Sequence, residues 1–152
     1  MRYTQSNPFK TSKKKNMELQ HIIRVEVIEA SAINIIDIDA DIVCLLGMPQ
    51  FEALNIRKPA SLSISTEKRD GTLVSTATLA FHTCQSILQK NHRYAFLCTA
   101  ANGTRYLLGR AERPYPVFST SKNLAADFNS SQLTQVTVNY TCDGYIPTVA
   151  DR

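Results

Sequence analysis

The sequence predicts an all-β fold, a single-domain antiparallel sandwich or barrel of about seven or eight short strands led by a flexible basic arm. Three observations carry this. Apolar and polar residues alternate at period two in most segments, and no segment keeps a long helical period. The dipeptides Asp70-Gly71 and Asn102-Gly103 sit between paired runs, where hairpin turns need residues that accept positive φ. The chain has 152 residues, 43% hydrophobic and 20% charged, which suits one globular core.

Residues 1–16, MRYTQSNPFKTSKKKN, are polar, aperiodic and basic, and are predicted to form a flexible arm ahead of a single β domain spanning 17–152. Met17 is an alternative start of translation, and a chain beginning there lacks the arm. The run QHIIRVEVIE, 20–29, predicts a strand with Ile23, Val25 and Val27 on one face and Arg24 and Glu26 on the other. The isoleucine-rich 33–47 predicts strands broken near Asp37, Asp39 and Asp41. Residues 48–55 predict one or two helical turns with Pro49 first.

Residues 61–67 alternate, with Leu62 and Ile64 inward and three serines outward. Across the Asp70-Gly71 turn, 72–83 supplies the partner strand, with Leu73, Leu79 and Phe81 on one face. Residues 84–92 read as a loop or a helical turn. RYAFLCTA, 93–100, is apolar on both faces and predicts a central strand. The Asn102-Gly103 turn leads into 104–109. Residues 119–132 are polar and turn-rich, 133–141 predicts the last strand, and the tail reads as irregular chain.

The formal charge of +4 is uneven. Residues 1–16 hold five basic side chains and no acid, whereas 17–152 hold 12 basic and 13 acidic ones. A near-neutral body offers no field for wrapping nucleic acid, so any such contact is expected through the arm alone, with Lys10, Lys13, Lys14 and Lys15 on phosphates. No basic-then-apolar leader opens the chain, and the apolar run 42–48 is far short of the roughly 20 residues of a spanning helix. No membrane association is expected, and synthesis is expected in the cytosol.

Chemical motifs are sparse. Asp37, Asp39 and Asp41 open like a calcium loop, but its sixth and twelfth positions hold Ile42 and Met48 instead of Gly and Glu. In a strand these carboxylates share one wet face. His82 and Cys84 fall on one strand face, without a surrounding nucleophile signature. The four cysteines form no Cys-x-x-Cys pair and read as small buried residues kept reduced. No cofactor or metal is expected, and the chain reads as non-enzymatic.

The least ordinary stretch is 106–118, YLLGRAERPYPVF. Arg113 and Tyr115 each precede a proline, so Arg113-Pro114-Tyr115-Pro116 is expected to be extended, stiff and short of donors. Such a segment cannot lie inside a sheet. It lies along an edge or against another protein, where Tyr115 and Phe118 add apolar area at low entropic cost.

RYLLG (105–109), ERPYP (112–116), a polar linker, QLTQVTVNYT (132–141) and YIP (145–147) occupy the last third of the chain. In this order they resemble small β-rich structural proteins of tailed phages and prophages of Bacteroidetes. That resemblance implies a non-enzymatic virion component, a head-tail connector, neck or tail subunit, made in the host cytoplasm and located in the virion. It also implies assembly by sheet augmentation and ordered arms, with a second copy and other virion proteins as partners. The basic arm becomes an assembly arm and the proline loop a subunit contact.

Overall fold

The computed structural model describes residues 16–84, 88–89, 91–122 and 134–150. Eleven strands are present among the described residues: β1 (Asn16–Glu29), β2 (Ile35–Asp39), β3 (Ile42–Leu45), β4 (Glu52–Leu54), β5 (Ile56–Arg69), β6 (Thr72–Thr83), β7 (Tyr94–Ala100), β8 (Arg105–Leu108), β9 (Val117–Lys122), β10 (Thr134–Asp143) and β11 (Thr148–Val149). They join into one hydrogen-bonded path, β2-β3-β11-β8-β7-β1-β5-β6-β10-β9, with β4 beside β1. The fold is all-β, as the alternation predicts. The sheet is mixed, not purely antiparallel, because β11 runs parallel to β3. The count exceeds seven or eight because short strands arise where the alternation is too brief to read.

The β5–β6 hairpin forms as its sequence dictates. Asp70 (φ 50°) and Gly71 (φ 81°) both take positive φ, the geometry that matches the twist of the flanking strands. Arg69 pairs with Thr72 across it. Ala60, Leu62 and Ile64 on β5 and Ala77, Leu79 and Phe81 on β6 turn inward. Ser75, fully buried, donates to the Gly144 carbonyl at 2.6 Å and lies 3.1 Å from the Thr66 hydroxyl, so its burial is compensated.

β1 holds the two halves of the path together. Residues 16–22 pair with β5, and 22–29 pair with β7 on the opposite edge. The register to β7 shifts between Ile22 and Arg24, leaving Ile23 as the extra residue of a bulge. Ile23 therefore faces solvent at 43% exposure, contrary to the expectation that it joins Val25 and Val27, while Ile22 is fully buried in its place.

β7 is the wall between two apolar clusters. Tyr94, Phe96, Cys98 and Ala100 face a large cluster with Leu79, Phe81, Val136 and Val138. Ala95 and Leu97 face a smaller one with Ile28, Ile33, Val43, Leu107 and Val149. The predicted two-faced central strand is thus present. Burial pushes the Cys98 thiol far above the ordinary range, so it remains neutral there.

Three further expectations are corrected. Residues 48–55 are not helical: Gly47 takes φ +70°, the chain runs extended, and β4 pairs Glu52, Ala53 and Leu54 with Val27, Glu26 and Val25. Residues 119–122 belong to β9, whose register runs from Val117 opposite Asn139 to Lys122 opposite Thr134; 123–133 lie outside the described residues. The tail contributes β11, inserted between β3 and β8, with the Leu107 N–H donating to the Pro147 carbonyl at 3.0 Å and the Thr148 N–H to the Asp41 carbonyl at 2.8 Å. Two residues are too few for a period to show in the sequence.

Candidate assembly edge

The path of strands ends at β2 and at β9, and these edges differ in chemistry. At β2 the register shifts between Asp37 and Asp39, so Ile38 is extra and the alternation expected to align the carboxylates is broken. The three aspartates take separate roles. Asp37 accepts two bonds from the Arg110 guanidinium, at 2.8 and 3.2 Å. Asp39 accepts from the Ala40 N–H at 2.8 Å. Asp41 sits in the turn and offers its carbonyl to Thr148. No group of three or more His, Cys, Asp or Glu converges among the described residues.

The Arg110 bond holds the Asp37 carboxyl below its ordinary value. A folded value below the unfolded one stabilises the fold above the ordinary carboxylate range, and that contribution is lost as pH falls through the folded value. Asp37 is 61% exposed, so the contribution is at most about 1 kcal/mol. Asp37→Asn is expected to cost about 0.5 kcal/mol at pH 7 and progressively less as pH falls through the folded value, so that the variant and the parent draw together toward low pH. Urea midpoints measured from pH 2 to 7 check this; a constant gap across the series would refute it.

The loop before β9 is anchored at Gly109, whose φ is +112°. A Cβ there would lie 2.9 Å from the Pro116 ring and 3.2 Å from the Ala95 backbone. Pro116 is consequently buried against the end of β8. The four residues 113–116 are not uniformly extended: the chain bends through 111–114, the Arg113–Pro114 peptide is cis, and the Tyr115 hydroxyl donates to the Ala111 carbonyl at 3.2 Å. The Arg93 guanidinium stands 5.7 Å from the Tyr115 ring centroid, a cation–π contact at low desolvation. Of the residues singled out from sequence, Arg113 and Pro114 are exposed and Tyr115 is half-buried. Phe118 turns into the core and meets Tyr94 at 5.8 Å between ring centroids. Lys10, Lys13, Lys14 and Lys15 lie outside the described residues.

β9 leaves this loop with Val117 64% exposed and Ser119, Thr120 and Ser121 exposed. Among the described residues it pairs only with β10. A cleft of about 380 Å³ lies along β9 from Val117 to Thr120, bounded on its far side by His92 and Arg93. The His92 ring is fixed by Glu29, with Nδ1 2.7 Å from the carboxylate. Sequence reasoning placed the proline loop here but missed the strand, because Val-Phe-Ser-Thr-Ser-Lys carries only one inward apolar residue.

Thiol and phenol groups near this end are poorly suited to nucleophilic work. Burial raises Cys142, and burial with the neighbouring Cys142 pushes Tyr140 up to about 12. His82 is half-buried on β6, Cys84 is exposed just past it, and Cys44 and Cys142 are half-buried, so only Cys98 fits the small buried cysteine expected. No helix among the described residues is long and apolar enough to cross a membrane. Compared with known proteins, the chain matches no family model, no curated protein and no solved structure.

Proposed function

We propose that this chain is a non-enzymatic assembly protein of a tailed-phage virion, a head-tail connector, neck or tail subunit acting through protein–protein contacts. The observation that carries the reading is the edge of β9 away from β10, unpaired among the described residues. It is uncharged from Val117 to Ser121, exposed, and bordered by a cleft and by the exposed Arg113-Pro114 corner. An edge strand with no charge along its middle is a template for strand addition, and the proline and the lysine that flank β9, Pro116 and Lys122, stand only at its two ends. A sandwich is part of the same reading: β7 and β9 stand five steps apart on the path, yet the Tyr94 and Phe118 rings lie 5.8 Å apart between centroids, as two facing layers would place them. The virion setting rests on the resemblance of the last third of the chain to phage structural proteins.

Light scattering coupled to size exclusion, on the chain alone and mixed with head, neck and tail proteins encoded beside it, tests the reading. A defined oligomer or a stable complex is expected. A strict monomer at high concentration in every mixture would overturn it.

A further inference from the structure

We infer that the β9 edge pairs with the β9 edge of a second copy of this chain, antiparallel about a two-fold axis through Ser119. The assignment rests on reading β9 as a contact edge and adds the identity of the partner. A two-fold axis perpendicular to the joined sheet keeps both cores on one face and sets a residue opposite its own equivalent. Centred on Ser119, the pairs are Val117 with Ser121, Phe118 with Thr120, and Ser119 with itself. No charged side chain enters any pair, and Lys122 falls outside the overlap.

The opposite edge fails the same test. A copy of β2 pairing with β2 in this way centres on Asp37, crowding each Asp37–Arg110 ion pair against its own copy and placing Asp39 opposite Ile35. The bulge at Ile38 also breaks the ladder there. The sheet thus carries one edge that rejects its own copy and one that accepts it, the pattern of a closed dimer rather than an open filament. The exposed Val117 gains cover in the pair, and the neighbouring cleft gives the incoming strand room beside Ser119 and Thr120.

Sedimentation equilibrium of the full chain over a wide concentration range tests this, with Ser119→Lys and Ser119→Asp variants checked for native far-ultraviolet dichroism. The parent is expected to dimerise. Each variant alone sets like charges across the axis and is expected to dimerise at least about tenfold more weakly. An equimolar mixture of the two is expected to recover a dimer, because Lys then faces Asp. A parent that stays monomeric, a variant that dimerises as the parent does, or a mixture that fails to recover overturns the inference. If the parent is monomeric but is captured by another virion protein, and Ser119→Lys abolishes the capture, the second copy is excluded while the assembly reading stands.

Discussion

Replacing Gly109 with alanine is expected to destabilise the fold by about 3 kcal/mol, of which positive φ accounts for about 1–2 kcal/mol. The remainder comes from contact. The new methyl meets the Pro116 ring at 2.9 Å, and it is trapped on the other side by the Ala95 backbone at 3.2 Å, which cannot yield without moving β7. Gly103→Ala is the control. Its φ is +93°, but nothing lies within 4 Å of an added Cβ, so it carries the conformational cost alone. At about 2–4 °C per kcal/mol for a chain of this size, Gly109→Ala should melt about 10 °C below the parent. Gly103→Ala should sit between them. Equal losses at the two sites would show that the Pro116 contact gives way freely.

The same substitution bears on function. Pro116 immediately precedes β9, so pushing it outward shifts the start of the edge strand and the cleft beside it. Gly109→Ala should therefore weaken any association made through β9, measured at a temperature where the variant is still folded. Gly103→Ala should leave it unchanged.

What was legible in the sequence follows from how many residues share each signal. β5 alternates over 61–67 and β6 over 72–83, and the two are joined by a turn whose residues accept positive φ, so their pairing was plain. β7 was legible because apolar residues on both faces leave a strand only a central place. Bulges were not legible. One extra residue at Ile23 or Ile38 reverses which face the next side chains take, and nothing in isoleucine signals it. β4 and β11 stayed hidden because two or three residues carry no period; their pairing comes from the strands already in place. At the candidate site, the paired prolines marked the loop correctly. Their fixed φ values did not disclose the bend at 111–114, which the Tyr115–Ala111 bond closes from within the loop.

The largest effect is expected at β7, where neighbouring residues serve different cores. Phe96 is fully buried in the larger cluster, and truncating it to alanine should cost about 3–5 kcal/mol from lost transfer energy and the cavity left behind. Leu97, one residue on, is buried in the smaller cluster, and Leu97→Ala should cost about 2–5 kcal/mol. Because the side chains belong to separate clusters on opposite faces, the losses should add apart from what the backbone shared by adjacent residues couples. The sum approaches the 5–15 kcal/mol that holds a whole domain, so the double variant should be largely unfolded at ambient temperature while each single variant still folds. Urea titrations of the parent and both single variants, with the double variant stabilised by an osmolyte, measure the terms. A double variant no worse than Phe96→Ala would mean the two clusters are one cooperative core that fails at its first breach. Additivity would establish β7 as a partition between the two clusters, with Val43 and Val149 resting on one side of it and Val136 and Val138 on the other.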